Sequence, residues 1–486
     1  MYDTCMSARS FFGRGHELAT LDDWLSQAAE SGTGRLVAMR GRRQAGKSRL
    51  AEHFAANNGV PYGVVAGLMG TPVDIQMRRA VETLRSSTKP LPGLDAITTV
   101  VPSDWYDLLS RLRLTLRDNP AILIIDEFPW AVQASNGLDG LLQSLWDSEL
   151  SRQPVLLILI GSDEAMMDRL FAHDRALFGR LDDQMVVNPF NPAETGIALG
   201  GARDPLDIFD AQLVTGGFPE LVAHARRFGE IAALIEDAVS RPHTLLADVA
   251  QINLAGELAE SASARLVLEA IGADEVGVVN FSGIAAMLGG GKTVETAVSR
   301  ATDLLAAKGI LAINTPAGQR GRRLKRYRIA DPYLRFWFRF IEPHLRNVEV
   351  GRPDLAVSAF RRLWTTWRGR AIEPIVREAV LRLAPRLDAP LSAIESVSPW
   401  WDRTGVHEWD IVGSQRDRLP VVVGSIKWRE RRPFDALDFA SLAAARSVIP
   451  HAESAQLLAV SAHDIAPGVR VDLALDAADL LSAWSA

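Results

Sequence analysis

The chain has 486 residues, of which 48% are apolar and 23% charged, with a formal net charge of −6 and a single cysteine, Cys5. Its length predicts about three domains, and one cysteine excludes an internal disulfide framework and fits a reducing cytosol. No apolar run is long enough to cross a bilayer, and the N-terminus lacks the apolar core of a signal peptide. We therefore expect a cytoplasmic protein with no membrane partner.

The first candidate site lies within VAMRGRRQAGKSRLAEHF, residues 37–54. Gly41, Gly46, Lys47 and Ser48 meet the P-loop pattern of Gly, four free positions and Gly-Lys-Ser/Thr. RLVAM before the loop predicts a buried strand, and SRLAEHFAANN after it has helical spacing. This order points backbone N–H groups and a helix N-terminus at one anion. The structural alternative is a basic surface loop without a ligand. The predicted nucleotide contacts of the loop are Gly41, Arg42, Arg43, Gln44, Ala45, Gly46, Lys47, Ser48 and Arg49.

A second buried strand, Ala121 to Ile125, ends in two acids, Asp126 and Glu127. An acid at the end of a parallel strand beside a P-loop can hold Mg²⁺ together with the Ser48 hydroxyl. Glu127 is then placed to orient or deprotonate an attacking water. Two such apolar strands predict an α/β fold with a parallel sheet covered by helices on both faces. The structural alternative for the acids is a solvated turn.

Two further residues are candidates in the same region. Ser162 follows a third apolar strand, PVLLILIG, where it could sense a γ-phosphate or cap the next helix. RALFGRLDD places Arg180 at the end of a helical stretch, where it could act on the nucleotide of a neighbouring subunit in a homo-oligomer. A surface ion pair is the alternative for Arg180.

Six motifs together resemble the archaeal-type P-loop ATPases of the AAA+/STAND group: FFGRGHEL, GRRQAGKS, LIIDEF, LILIGS, LFGR and VTGGFPELV. The resemblance covers about the first 250 residues. It implies ATP and Mg²⁺ as ligands, with Phe12, Gly13 and Arg14 near the adenine. It also implies a domain at 1–255 whose helical lid, at about 191–255, carries Gly216, Gly217, Phe218 and Pro219. A turn followed by a proline-started helix is expected at TGGFPE in either case.

From Ser261 the pattern changes to three short helices followed by two β-like runs joined by a Gly/Pro turn, which predicts a winged helix-turn-helix at 256–345. Between Thr296 and Arg370 there are sixteen Lys/Arg against five Asp/Glu. Such a basic segment could neutralise DNA phosphates. The alternative is a packing connector whose wing contacts other domains. The candidate DNA contacts on or beside the wing are Arg320, Arg322, Arg323, Lys325, Arg326 and Arg328.

The phrase YRIADPYLRFWFRFIEP resembles the segment that opens a C-terminal domain of unknown function in many of these ATPases. That domain is considered similar to the restriction-endonuclease fold, which implies a small α/β domain at 346–486. The aromatic residues of the phrase could stack on bases, but core packing is favoured.

The resemblance to nucleases carries over to four residues: Glu373 on a helix, Glu408 and Asp410 on one strand, and Lys427 on the next strand. Asp410 would also be a metal ligand. The usual acid two residues before the lysine is absent, because Ser425 stands there, and a neutral hydroxyl is a weak ligand for hard divalent cations. A degenerate domain retained for DNA binding or assembly is the alternative to an active nuclease.

Three functions remain open on the sequence. The chain could be a DNA-associated ATPase, an ATP-driven switch with protein partners, or a scaffold that binds nucleotide without turnover. Glu127 argues against the scaffold, which has no need of a water-positioning acid. The basic wing favours DNA over protein partners, and Ser425 weakens only the DNA-cutting version.

Overall fold

The computed structural model describes residues 11–117, 119–258, 261–319, 321, 324–415, 419–429 and 431–485. They form two compact units, Met1–Pro189 and Phe190–Ala486, called here the N-terminal and C-terminal units. The helices predicted as a lid therefore lie in the C-terminal unit with the later elements. The predicted division into three domains stays a prediction.

The N-terminal unit contains a five-stranded sheet in the order β2-β3-β4-β1-β5 with every pairing parallel, as predicted. Its strands are β1 (Arg35–Arg40), β2 (Tyr62–Ala66), β3 (Ala121–Asp126), β4 (Val155–Gly161) and β5 (Asp183–Val186). Its α-helices are α1 (Gly15–Ser31), α2 (Lys47–Asn57), α3 (Val73–Arg85), α4 (Leu94–Ile97), α5 (Trp105–Leu112), α6 (Phe128–Ala134), α7 (Leu138–Ser148) and α8 (Glu164–Leu170).

Hydrophobic side chains cover both faces of this sheet, which explains why its strands are continuously apolar. Leu36 and Leu157 face one core, which also receives side chains of α3, α5 and α7. Val37 and Ile158 face the opposite core, which receives side chains of α1 and α2. Because successive side chains of a strand point to opposite faces, a strand buried on both sides must be apolar at every position. Each fully buried Leu or Ile contributes about 1.5–3 kcal/mol to the hydrophobic stabilisation.

The C-terminal unit begins with five helices in the region predicted as the lid. They are α9 (Pro192–Leu199), α10 (Pro205–Thr215), α11 (Pro219–Ala225), α12 (Ile231–Ser240) and α13 (Leu245–Glu257). Three helices and a three-stranded antiparallel sheet, in the order β6-β8-β7, follow at the positions predicted for the winged segment. They are α14 (Ala262–Ala273), β6 (Val279–Asn280), α15 (Phe281–Met287), α16 (Lys292–Ala307), β7 (Leu311–Asn314) and β8 (Arg326–Ile329).

A second five-stranded sheet, in the order β13-β12-β11-β10-β9, completes the unit. It is mixed: β9, β10 and β11 pair antiparallel, whereas β11, β12 and β13 pair parallel. Its strands are β9 (Ser396–Trp401), β10 (Glu408–Ser414), β11 (Pro420–Lys427), β12 (Gln456–Ser461) and β13 (Leu473–Leu475). The accompanying helices are α17 (Pro332–Phe336), α18 (Leu345–Glu349), α19 (Pro353–Ala371), α20 (Glu373–Leu383), α21 (Ala436–Ala443), α22 (Ala445–Val448) and α23 (Ala477–Leu481).

The aromatic segment after β8 is core, as predicted, since Phe336, Trp337, Phe338 and Phe340 are at most 1% exposed. They lie on α17 and on the π-helix Trp337–Ile341 that continues it. Short 3-10 helices occupy Arg113–Thr115, Leu150–Arg152, Glu342–His344, Ala384–Arg386, Leu391–Ala393 and Ser482–Trp484. Within the described ranges, each helix is too short or too polar to cross a lipid bilayer.

Candidate functional site

The loop between β1 and α2 has the backbone of a phosphate cradle. Gly41 and Gly46 have φ values of 138° and 93°, in the region that favours glycine. A Cβ atom on Gly41 would lie 2.2 Å from the carbonyl oxygen of Val187, so no other residue fits there without backbone movement. The sequence pattern therefore reflects real steric requirements at this loop.

Lys47 begins α2 and turns its side chain back into the loop. It is 5% exposed, and its Nζ donates to the carbonyl oxygens of Gly41 and Arg42 at 2.7 and 2.8 Å. The ammonium charge is thus held within the glycine loop, next to the start of a helix. Both features attract an anion.

Arg14 supports the backbone of the loop, and its predicted position near an adenine stays a prediction. Its guanidinium is buried, donates to the carbonyl oxygens of Ala45 and Asn188 at 2.7 and 2.6 Å, and forms an ion pair with Glu17 at 2.9 Å. These contacts fix the backbone of Ala45 inside the loop. The adjacent Phe12 and Gly13 precede α1, and their predicted contact with the base stays a prediction.

The two acids lie where β3 ends, as the sequence indicated. The Ser48 hydroxyl hydrogen-bonds the carboxylate of Asp126, and Asp126 Oδ1 accepts from the backbone N–H of Glu127 at 2.9 Å. Burial, and then repulsion by Glu127, raise the pKa of Asp126, whereas Lys47 lowers it. The structure thus brings the loop lysine, the loop serine and Glu127 into electrostatic contact with Asp126.

Ser162 follows β4, the neighbour of β3 in the sheet, and contacts Glu127. Its Oγ donates to Glu127 Oε2 at 3.0 Å. Glu127 itself has a φ of 47°, which is unfavourable for a residue with a Cβ atom and is typical of functional sites. The side chain that caps α8 is that of Asp163, which accepts from the N–H of Met166, so the capping alternative for Ser162 is wrong.

One acid of this group was missed by the sequence reasoning. Glu52 lies one turn beyond Ser48 on α2, and burial together with repulsion from Asp126 raises its pKa. Its spacing of four residues from Ser48 was the available signal, because residues four apart share a face of a helix.

Arg180 does not end a helix, so that part of its prediction is wrong. Turns connect α8 to β5, and Gly179 has a φ of 69°, which interrupts helical geometry. The guanidinium of Arg180 forms an ion pair with Asp147 at 2.9 Å, as the structural alternative expected. Its action on a neighbouring subunit stays a prediction.

In the C-terminal unit, the TGGFPE segment forms the expected turn before a proline-started helix. Gly216 and Gly217 have φ values of 61° and 72°, Phe218 is buried, and Pro219 begins α11. The contact of Pro219 with a nucleotide stays a prediction.

The residues predicted for a nuclease centre lie close together in the C-terminal unit, but arginines accompany them. Glu373 accepts hydrogen bonds from Arg370 at 3.1 Å and from Arg377 at 3.4 Å. Asp410 Oδ2 accepts from the N–H of Ile426 at 2.7 Å and from Ser425 Oγ at 3.3 Å. Ser425, which stands where nucleases usually have an acidic residue, therefore donates a hydrogen bond to the acid Asp410.

Burial, followed by repulsion from Glu373, raises the pKa of Asp410 to about 6, although Lys427 and Arg370 both lower it. Within the described part of the chain, no group of three or more His, Cys, Asp or Glu residues could hold a metal ion. The acids of this centre are thus engaged with basic and neutral groups.

The structure describes three of the six candidate DNA contacts on or beside the wing, and contact with DNA stays a prediction. Arg320, Arg322 and Arg323 lie outside the described residues. Arg326 forms an ion pair with Glu408 at 3.0 Å, and its Cζ lies 4.2 Å from the ring centre of Trp401. One predicted DNA contact and one predicted nuclease acid therefore pair with each other.

The other two described wing residues are half-buried. Lys325 lines a cleft between α16 and the hairpin, and Arg328 points its Nη1 at the carbonyl oxygens of Ile329 and Ala330, at 3.5 and 3.4 Å.

The sequence reasoning missed Arg370 and Arg377, although their spacing of three and four residues from Glu373 on adjoining helices was a signal.

A strand, a glycine loop and a helix on a parallel sheet, with two acids at the end of another strand of that sheet, define a P-loop nucleotide-binding fold. The chain matches the DUF234 family, described as archaeal and bacterial proteins of unknown function, over residues 337–438. It is similar to an uncharacterized protein of Methanocaldococcus jannaschii, with 21% identity over 439 residues that cover 87% of this chain and 89% of the relative.

Two solved structures are similar to the chain at low TM-scores. One is a Walker-type ATPase of Pyrococcus abyssi, with a TM-score of 0.46 and 18% identity, covering 68% of this chain and 96% of that one. The other is the ORC2 protein of Aeropyrum pernix in its ADPNP–ADP complexes, with a TM-score of 0.45 and 15% identity, covering 74% and 98%. Function is therefore inferred from the residues of this chain.

Proposed function

We propose that the chain binds ATP with Mg²⁺ at the P-loop, hydrolyses ATP, and acts on or with DNA. The observation that carries the ATPase part is the convergence of Lys47, Ser48, Asp126 and Glu127 at the ends of β1 and β3. A binding scaffold needs the first three of these residues, whereas only hydrolysis needs Glu127.

Each residue has a definite role in this proposal. Lys47 and the N–H groups of the loop hold the phosphates, and the oxygens of Ser48 and Asp126 hold Mg²⁺. The ion, when bound, neutralises charge that develops on the transferred phosphoryl group. Glu127 orients the attacking water and accepts its proton. The hydrogen bond from Ser162 positions the Glu127 carboxylate for that step.

The test of the ATPase part is steady-state ATP turnover together with equilibrium ATP binding. Lys47→Ala is expected to abolish both, whereas Glu127→Gln is expected to abolish turnover and preserve binding. Asp74→Asn is a matched control, since Asp74 is an exposed acid on α3 that forms an ion pair with its helix neighbour Arg78. Full turnover in Glu127→Gln would refute the role of Glu127.

The DNA part of the proposal treats α14–α16 with β6–β8 as a winged helix-turn-helix. Arg300 on α16 and Lys308 directly after this helix are exposed and available to phosphates. We expect turnover to rise with duplex DNA and to fall again with added salt, because contacts with phosphates release counter-ions. The variant Arg300→Gln/Lys308→Gln should lose this stimulation, and Arg352→Gln, an exposed arginine at the start of α19, should keep it.

We further propose that the C-terminal sheet belongs to a nuclease-like domain that binds DNA without cutting it. Ser425 replaces the usual acid, and two arginines occupy the oxygens of Glu373. Incubation of duplex DNA with the protein and Mg²⁺ should leave the DNA intact. Cleavage that disappears in Asp410→Asn would overturn this part.

The second candidate is an ATP-driven switch with protein partners and no DNA. The pairing of Arg326 with Glu408 favours it, because a wing engaged with the protein has less charge to offer DNA. Arg361 and Arg368 of the basic segment are likewise paired, with Glu236 and Asp210. Turnover that is indifferent to DNA, in a protein that does not bind DNA at low salt, would select this candidate.

A further inference from the structure

Positive charge exceeds negative charge around the acids of the C-terminal sheet. The basic cluster, as it is called here, consists of Arg328, Arg335, Arg370, Arg377 and Lys427. Glu373 interacts electrostatically with the four arginines, and Asp410 interacts with Lys427 and Arg370. Two further acids also act on the cluster, Asp274 on Arg335 and Glu408 on Arg370. Glu408 adds no net charge because Arg326 neutralises it. The cluster therefore has the charge of an anion site rather than a metal site.

Arg328 is the member of the cluster that most clearly needs a further partner. Its Nε is buried and makes no hydrogen bond, and its Nη1 makes only long contacts with two carbonyl oxygens. Among the described residues no carboxylate forms an ion pair with Arg328. Burial and repulsion from Arg335 and Arg377 lower its pKa to about 9. The half-buried guanidinium is thus only partly compensated by Glu373, and a further anion would stabilise its charge.

Arg335 has a similar environment. It donates to the carbonyl oxygens of Val276 and Arg370 at 2.9 and 3.3 Å, yet its Nε is buried without a hydrogen bond. Carbonyl oxygens satisfy N–H groups but carry no net charge. Two guanidinium charges of the cluster, those of Arg328 and Arg335, thus remain without a direct ion pair among the described residues.

The cluster is open to solvent at one side, since the side chain of Arg370 is 42% exposed and Lys427 is half-buried. Guanidinium groups present paired N–H donors that match the oxygens of a phosphate. We propose that the basic cluster binds a phosphate group, to which Arg328 contributes a guanidinium without an ion pair among the described residues and Arg370 a partly exposed one. This site uses no P-loop residue, so it can be present whether or not the chain hydrolyses ATP.

The replacement of the usual acid by Ser425 agrees with this inference. A carboxylate at that position would add a negative charge beside Asp410 and Glu373 and would favour a cation. The neutral hydroxyl instead donates to Asp410. The serine at position 425 therefore weakens a metal site and also leaves an excess of positive charge, which favours the binding of an anion.

The experiment measures thermal stability with increasing inorganic phosphate, in the Lys47→Ala chain so that the P-loop contributes little binding. We expect a saturable rise in Tm. Arg370→Gln should weaken phosphate binding at least tenfold, as should Arg328→Gln. Arg352→Gln is the matched control, because it removes a charge at the other end of the same helix, about 27 Å away at about 1.5 Å per residue, and should bind phosphate as before.

Variants of Arg328 also distinguish lost binding from poor folding. Removal of an uncompensated cation should leave the Tm of the phosphate-free protein unchanged or raise it, while the response to phosphate disappears. A short duplex DNA then identifies the source of the phosphate: competition between DNA and phosphate indicates a DNA backbone, and its absence indicates a free phosphate. No saturable rise in Tm, or an equal rise in Arg370→Gln, would overturn the proposal.

Discussion

Asp410→Asn should remove a pH-dependent loss of stability that the buried carboxylate causes. The pKa of Asp410 rises from 3.8 to about 6 on folding, so the folded chain holds this proton more tightly than the unfolded chain. Wild-type stability relative to the variant is therefore greatest below about pH 4 and is lost as the pH rises from about 4 to about 6. A shift of about two units corresponds to about 3 kcal/mol.

The assay is urea unfolding of both proteins between pH 4 and pH 8. An asparagine oxygen can still accept from the N–H of Ile426, which limits other effects of the substitution. The difference in unfolding free energy should change by about 3 kcal/mol across this range in favour of the variant. The exposed Asp388 offers the control Asp388→Asn, which should follow the wild-type pH profile. A difference between wild type and Asp410→Asn that is constant with pH would refute the reasoning.

Three further outcomes follow from the structure. Glu127→Gln should lower ATP turnover by about 10²–10⁴-fold, with ATP affinity measured separately and unchanged. Gly41→Ala should abolish ATP binding and cost about 1–3 kcal/mol in urea unfolding, since the new Cβ atom would meet the carbonyl oxygen of Val187; wild-type affinity would contradict this. Arg368→Met should lower the free energy of unfolding by about 3–5 kcal/mol because it removes the ion pair with the largely buried Asp210. The double variant with Asp210→Leu should recover much of that stability. An equal loss of stability in both variants would contradict the ion-pair argument.

The N-terminal sheet and its site could be predicted because local sequence determines them. The strand Ala121–Asp126 is apolar at each position up to its acid, and the loop glycines have torsion angles that other residues avoid. The carboxyl ends of parallel strands lie at one edge of the sheet, so the acids and Ser162 could be expected at that edge, but the hydrogen bond between Ser162 and Glu127 was not predicted.

The partners of the basic residues could not be predicted in this way. Arg326 and Glu408 are far apart in the sequence, and their pairing depends on where the hairpin docks on β9. A run of basic residues has the same sequence pattern whether its side chains face solvent or form ion pairs with carboxylates from distant parts of the chain. The helix expected before Arg180 is absent for a simpler reason, since Gly179 adopts a positive φ that interrupts helical geometry.

The docking of the hairpin on the second sheet has a practical consequence for dissection of this chain. The N–H of Ala317 donates to the carbonyl oxygen of Pro399 at 2.9 Å, and Gln319 donates to that of Trp401 at 3.3 Å. A fragment that starts at residue 346 would lose these bonds, uncover one face of Trp401 and leave Glu408 without Arg326. Truncation at this predicted domain boundary is therefore expected to yield an aggregation-prone fragment, whereas a cut near residue 190 keeps the contacts between the hairpin and β9.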